Sequence, residues 1–226
     1  MHSGILNLDK PPGLSSAAAL NRIKPLLPRG LKIGHAGTLD PFATGVLLVL
    51  IGKATRQCEA LMNLPKSYET TVRLGATTPT DDPTAEPTPV PGATAPSPDQ
   101  VAQAVNQFIG TIQQKPPAFS AMKIGGRRAY DLARKGKPVE LAARPVRVDR
   151  IEILSYHWPD LRLAIDCGRG TYIRSIARDL GHALAVGGYL SALRRTRVGP
   201  FIAAEAIPLN RVLAEGPASH IGPVPV

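Results

Sequence analysis

The segment GHAGTLDPFATGVLLVL, Gly34 to Leu50, sets one carboxylate, Asp40, between a glycine-bearing polar loop and an almost unbroken apolar run. Pro41 drives Asp40 toward extended backbone, and Gly34, Gly37 and Gly45 permit sharp bends, so the loop can take a shape closed to most sequences. His35 lies five residues from Asp40 with no third ligand nearby, which argues against a metal site. No second carboxylate stands beside Asp40 as glycoside hydrolysis needs, and no Ser/His/Asp set sits on a nucleophile elbow. A lone Asp here serves either as a turn or cap residue or as a catalytic base or nucleophile, and the segment alone leaves both open. Arg174 is the other residue out of place. It falls in the first turn of the helix expected over TYIRSIARDLGHAL, where the helix dipole disfavours a cation by roughly 0.3 to 1 kcal/mol. A buried or ligand-borne anion would offset that cost, while an exposed arginine would tolerate it.

These residues need elements to hold them. GILNLD alternates like a short strand and KPPG breaks it; a helix follows, capped by Ser15 or Ser16, with Leu20, Ile23 and Leu27 on its apolar face before Pro28. VLLVLIG, Val46 to Gly52, reads as a strand buried on both faces, and Ala54 to Leu64 as a helix. SYETTVRLG puts Tyr68, Thr70, Val72 and Leu74 on one strand face and Glu69, Thr71 and Arg73 on the other. Pro79 to Pro98 holds seven prolines, too many for a central strand, and reads as a mobile surface loop. It ends at SPDQ, a capping box for a helix to Ile109. From Pro116 to Val146 a basic excursion carries a Gly125-Gly126 turn, a short helix over RRAYDLARKG and an edge strand at KPVEL. LRLAIDCG alternates as a strand, and Ile173, Ile176, Ala177, Leu180 and Leu184 form the apolar face of the next helix.

Composition narrows the class. With 226 residues, 43% of them hydrophobic, the chain can bury a real core. MHSGILNLDKPPG has no secretory pattern and no apolar stretch approaches the roughly 18 residues of a spanning helix, so a cytoplasmic protein with no membrane contact is expected. Cys58 and Cys167 are far apart and read as small buried side chains rather than a zinc site or disulfide framework. The net charge of +10 is localised: Lys123 to Arg150 holds nine Lys/Arg against three Asp/Glu, and Arg169 to Arg197 six Arg against one Asp, leaving the remainder near neutral. Arginine suits phosphate and stacks on bases, and Tyr130 is interleaved with cations, so nucleic acid is the natural partner.

The motifs GILNLDKPPGLSS, GHAGTLDPFATGVLLVLIGKATR, KSYE, QKPPAFSAMKIGGRRAYDLARKG, RPV, DCGRGTYIRSIARDLG and LRRTRVGPF stand together in order. Over Gly4 to Phe201 the chain resembles the TruB-type tRNA pseudouridine synthases. The resemblance implies an α+β pseudouridine synthase fold: a mixed, mostly antiparallel sheet flanked by helices, in a single catalytic domain over 1–226. It makes 79–98 an idiosyncratic proline-rich loop and 116–146 a mobile arm gripping RNA. Only 25 residues follow Phe201, too few for the small C-terminal PUA-type domain that many members carry.

By the same resemblance, Asp40 is the essential carboxylate for converting uridine to pseudouridine at uridine 55 in the T-arm of tRNA. Arg174 pairs with it, Tyr68 lies against the target base, Tyr172 and Leu193 help enclose that base, and His35 contacts the opened T-loop. Lys123, Arg127, Arg128, Tyr130, Arg134, Arg194 and Arg195 are the candidate RNA contacts, and Lys10 and Pro11 support the active-site loop. No metal or cofactor is implied, since the reaction has no redox step or external group donor. A monomer with tRNA as partner and no obligate protein partner is expected. Three rivals differ in kind: a non-catalytic RNA-folding protein has no use for the set Asp40, Tyr68 and Arg174, a guide-RNA-directed synthase carries the extra RNA-binding domain, and a glycosylase would release free uracil.

Overall fold

Apolar runs become strands here wherever a neighbouring strand covers them, and two of the described helices begin at a serine cap. The computed structural model describes residues 3–120, 122–124, 127–128 and 141–223, with backbone only at 123, 124, 127 and 128. Strand β1 (Gly4–Lys10) is followed by α1 (Ser16–Ile23), where Ser15 accepts from the Ala18 amide as N-cap. Strands β2 (Ile33–Ala36) and β3 (Thr44–Ile51) flank the Asp40 loop. The helix expected over 54–64 is divided: a tight 3-10 segment spans Gly52–Gln57 and only α2 (Cys58–Asn63) is α-helical. Strand β4 (Lys66–Leu74) buries Tyr68, Thr70, Val72 and Leu74 and exposes Glu69, the alternation its sequence predicts.

Strands β5 (Ala76–Thr77) and β6 (Thr88–Pro89) pair with each other, and α3 (Pro98–Asn106) opens with the capping box: the Ser97 amide donates to Gln100 Oε1 at 2.8 Å and the Gln100 amide to Ser97 Oγ at 3.2 Å. Strand β7 (Gly110–Gln114) leads to the arm, where β8 (Lys123–Ile124) pairs antiparallel with β9 (Arg127–Arg128). Arg127 and Arg128 are therefore strand rather than the start of a helix, because their backbone groups are taken by the pairing across the expected turn. The rest of that helix, and the edge strand as far as residue 140, lie outside the described residues. The chain continues as β10 (Arg144–His157), β11 (Asp160–Cys167), α4 (Ile173–Ala183), β12 (Gly188–Val198), β13 (Phe201–Ile202), β14 (Ile207–Pro208) and α5 (Leu209–Glu215).

Two compact units are built from these elements, Met1–Glu69 with Leu193–Val226, and Thr70–Ala192. In the first, strands run in the order β14-β1-β3-β12-β4, with β2 against β3 and β13 against β12. Its core includes Ile5, Val46, Leu48, Leu50, Leu61 and Val198. In the second the order is β12-β4-β11-β10-β7, α3 packs on β10 and α4, and Leu161, Leu163, Ile165, Ile176 and Leu180 are buried. The pairs β1–β14 and β3–β12 are parallel, whereas β1–β3, β2–β3, β7–β10, β10–β11 and β12–β13 are antiparallel. The fold is thus α+β with a mixed, mostly antiparallel sheet flanked by helices. One glycine is decisive for the first unit: Gly45 has φ +98, and a Cβ there would stand 2.2 Å from the carbonyl oxygen of Arg195, its register partner.

Candidate active site

In the first unit the Asp40 loop rests on two buried cations. Lys10 and Arg195 are 0% and 1% exposed. Lys10 Nζ donates to the carbonyls of Pro11 (2.8 Å), Leu14 (2.7 Å) and Pro41 (3.3 Å), matching three donors to three acceptors. Arg195 donates through Nε to Val46 O (2.7 Å), through Nη2 to Gly37 O (3.1 Å) and through Nη1 to Thr38 O (3.5 Å). Ser16 Oγ accepts from the Leu39 amide at 2.8 Å and donates to Leu39 O at 3.1 Å, while the Ala43 amide donates to Asp40 O at 3.1 Å. Every carbonyl from Gly37 to Pro41 is therefore bonded, and the backbone bearing Asp40 is fixed from one end to the other. Burial pushes the Lys10 ammonium down to about 8; the nearby Asp40 carboxylate pulls it back up, and Arg195 adds to the depression.

This corrects one expectation and supports another. Arg195 is not an RNA contact, because its guanidinium is buried and spent on loop carbonyls, whereas Lys10 supports the loop as its motif implies. Arg194, on the next side of β12, is half-exposed and holds Asp9 through two bonds of 3.1 and 3.0 Å, so it keeps a face for a ligand. Tyr68 on β4 and Leu193 on β12 belong to the same unit and are 8% and 7% exposed. His35 lies on β2, where burial and then the charge of Arg195 hold its imidazole below the ordinary value and so neutral at pH 7. Its Nδ1 is buried and has no hydrogen-bond partner among the described residues. A cleft of about 560 Å³ opens beside it, with Lys24, Gly30, Lys32, His35, Thr55 and Cys58 among its lining residues. Arg22, Lys24, Arg29, Lys32, Lys53 and Arg56 are all exposed, and none has an ion-pair partner among the described residues.

The second unit holds Arg174 and Tyr172. Arg174 is only 4% exposed, which selects the buried alternative for a first-turn arginine. Its Nη1 donates to Thr80 O at 3.0 Å and lies 3.7 Å from the Asp82 carboxylate, and its Nη2 donates to Phe119 O at 2.9 Å. Asp82 is itself buried, accepting from Thr80 Oγ1 (2.7 Å), the Thr84 amide (3.0 Å) and Thr84 Oγ1. The beginning of the proline-rich stretch is thus a packed, hydrogen-bonded turn rather than a mobile loop, because its two aspartates meet arginines of α4. Tyr172 is the N-cap residue of α4, and Gln114 holds it on both sides: the Tyr172 amide donates to Gln114 Oε1 at 2.8 Å and Gln114 Nε2 to Tyr172 O at 3.1 Å. Arg144 donates to Gly170 O at 2.7 Å and stands 5.5 Å over the Tyr172 ring.

Asp82 and Gln114 escape a reading of the sequence. The signal for Asp82 was the acidic doublet in TPTDDPT, charged groups that an idle loop has no reason to bury; Gln114 at a strand end carries none. Of the arm residues, Tyr130 and Arg134 lie outside the described residues, and Lys123, Arg127 and Arg128 are placed only as β8 and β9.

Comparison with known proteins adds an independent line. Residues 24–173 match the TruB family pseudouridylate synthase N-terminal domain, and residues 174–217 the tRNA pseudouridylate synthase B C-terminal domain. The chain is 48% identical over 221 residues to tRNA pseudouridine synthase B of Mycobacterium sp. (strain KMS), covering 96% of this chain and 74% of that one. The protein of the same name from Aromatoleum aromaticum is 46% identical over 222 residues, covering 97% and 70%. Among solved structures, a chain of a Cbf5-Nop10-Gar1 complex matches with a TM-score of 0.72 and 34% identity, over 93% of this chain and 54% of that one. An H/ACA RNP bound to a substrate RNA containing 2'-deoxyuridine gives 0.69 and 32%, over 93% and 52%. The chain spans about half the length of these two.

Proposed function

Since this chain belongs to the TruB family of pseudouridylate synthases, we propose that it isomerises uridine 55 in the T-arm of tRNA to pseudouridine, with Asp40 as the essential carboxylate. The observation that carries the reading is the Asp40 loop: an acid on a backbone whose five carbonyls from Gly37 to Pro41 are all bonded, over two buried cations. Such fixation is more than a turn residue requires and is what an aimed reactive group requires.

A uridine stacked in the T-loop is out of reach at C5 and C1′ until it is flipped out, at a cost of a few kcal/mol that phosphate contacts offset. The exposed cations between Arg22 and Arg56, of which Lys24 and Lys32 line the His35 cleft, and the arm over 116–146 are suited to supply those contacts. Enclosing the base desolvates Asp40 and favours its neutral form; the pairing with Arg174 that the family resemblance implies would oppose that, and Arg174's own geometry is set by Thr80, Asp82 and Phe119. Asp40 then assists cleavage of the N1–C1′ bond, by attack on sugar or base or by removing a sugar proton. The freed uracil turns against Tyr68 and Leu193, whose aromatic and apolar faces permit rotation that a cage of fixed hydrogen bonds would not. C5 bonds to C1′ and gives up its proton, with Tyr68 the candidate acceptor, and N1 gains one, so the overall change is an isomerisation. No cofactor or metal takes part, and the protein works as a cytoplasmic monomer without an obligate protein partner.

The test uses unmodified tRNA tritiated at uridine C5, with wild type and Asp40→Asn. Release of one label per tRNA by wild type and none by the variant is the expected result. Tight binding without release would favour an RNA-folding protein, equal release by both would remove Asp40 from the chemistry, and free uracil as product would indicate a glycosylase.

A further inference from the structure

Arg174 is not the only arginine of α4 that grips the turn at 79–84. Arg178, one helical turn further on, donates from each of its three guanidinium nitrogens: Nη1 to Asp81 Oδ2 at 3.1 Å, Nη2 to Lys115 O at 2.9 Å and Nε to Asp179 Oδ1 at 2.8 Å. The two arginines bridge the same two segments. Arg174 joins Thr80 and Asp82 to Phe119, Arg178 joins Asp81 to Lys115, and Ser175 Oγ, between them in sequence, donates to Lys115 O at 2.9 Å. Lys115 is the residue that opens the excursion into the arm.

The backbone of the turn explains how neighbouring acids reach different arginines. Asp81 has φ +57, a left-handed conformation that a residue with a Cβ enters only when its surroundings hold it there. Its amide donates to Thr78 O at 3.2 Å and its carbonyl accepts from the Leu190 amide at 3.1 Å, so the residue is tied on both sides of the peptide as well as through its carboxylate. With Asp81 turned to Arg178, Asp82 falls against Arg174. Burial drives the Asp81 carboxyl upward while Arg178 pulls it down, so the charged pair depends on both partners being present.

We infer that Asp81 and Arg178 are positioning residues for the isomerisation: their pair locks the 79–84 turn in the form that sets Asp82 on Arg174, and ties the root of the arm to the same helix. Neither touches RNA or the reacting atoms; they act through Arg174. This rests on the function proposed above and adds to it a second charged pair that no motif of the sequence had pointed to.

The test measures single-turnover release of tritium from C5-labelled tRNA with the full chain in excess, alongside tRNA affinity and thermal unfolding. Asp81→Asn keeps the shape and tolerates the left-handed backbone, and Arg178→Gln removes the cation. Each is expected to slow the saturating rate by roughly tenfold or more while the tRNA Kd stays within about twofold. The double variant should be no slower than the slower single one, because the two groups act as a unit. Unchanged rates with a lowered Tm would make the pair merely structural, and weakened tRNA binding at an unchanged saturating rate would make it an RNA contact; either overturns the inference. If wild type itself releases no tritium, the functional reading fails instead, and hydrogen exchange decides on the latch. The Thr84 and Leu190 amides should then exchange faster in Asp81→Asn, and unchanged exchange would overturn it.

Discussion

The two units differ in how much of their basic charge is matched by acids. In Met1–Glu69 with Leu193–Val226, the buried cations Lys10 and Arg195 bond backbone carbonyls, and although Arg194 and Arg211 meet Asp9 and Glu215, six exposed cations between Arg22 and Arg56 have no acidic partner among the described residues. In Thr70–Ala192, Arg174 and Arg178 reach carboxylates as well as carbonyls, and exposed arginines are matched with acids: Arg73 with Asp160, Arg147 with Asp149 and Arg150 with Glu152. Charge left unmatched on a surface is available to phosphate, whereas charge already paired is largely spent on holding local geometry. A count of arginines along a chain therefore does not locate its RNA face; the acids opposite them must be subtracted first.

Four experiments probe how far this contrast extends. Arg195→Met strips two loop carbonyls and one of β3 of their donor in a closed interior, and urea unfolding should show a loss of roughly 3 kcal/mol or more. A loss near zero would mean that the cation beneath Asp40 is dispensable. Arg174→Lys keeps the charge but cannot reach Thr80, Asp82 and Phe119 together, so tritium release should fall by about a hundredfold with a much smaller change in Tm. Wild-type release would show that the fork is not used.

Replacing Lys24, Lys32, Lys53 and Arg56 with Gln should flatten the dependence of log K for tRNA on log salt by roughly 0.7 to 0.9 for each phosphate no longer neutralised. Replacing the paired Arg147 and Arg150 should leave the slope nearly unchanged, and equal slopes for the two sets would erase the distinction between units. The smallest effect concerns Lys10. Its folded value of about 8 lies below the ordinary 10.5, so between those values the unfolded chain binds more protons than the folded one and stability gains from rising pH. Lys10→Met should remove that part of the slope in unfolding experiments between pH 8 and 10.5, and an unaltered slope would show that Lys10 is not held with a depressed value.

Much of the architecture was legible because periodicity states it directly: the alternation through Tyr68, Thr70, Val72 and Leu74, the continuous apolar run of β3, and the Ser97 capping box each predict their element. Asp40 was conspicuous for chemistry through its surroundings, and the joint motifs gave it a role. Other features depended on contacts between residues distant in sequence. Nothing local distinguishes Arg195, a buried clamp, from its half-exposed neighbour Arg194, since both lie on one strand and differ only in which side faces the core. The basic surface between Arg22 and Arg56 was hidden because acids elsewhere in the sequence cancel it in a whole-chain count. The aspartates at 81 and 82 were obscured by the prolines around them, whose frequency argues for an idle loop until α4 supplies the partners.

One junction has a bearing on how such a chain could acquire new specificity. Gln114 and Arg144 face each other as register partners of β7 and β10, and both are fastened to the segment just before α4, Gln114 at Tyr172 and Arg144 at Gly170. Everything inserted between them enters and leaves through a fastened gate, so the strands bearing the gate are insulated from what is inserted. Doubling the length of such an insertion adds only about 0.6 kcal/mol of closure entropy. The excursion is in that sense an interchangeable cassette: a different segment grafted between Gln114 and Arg144 would change what this part of the chain offers a ligand while leaving the frame around Asp40 intact.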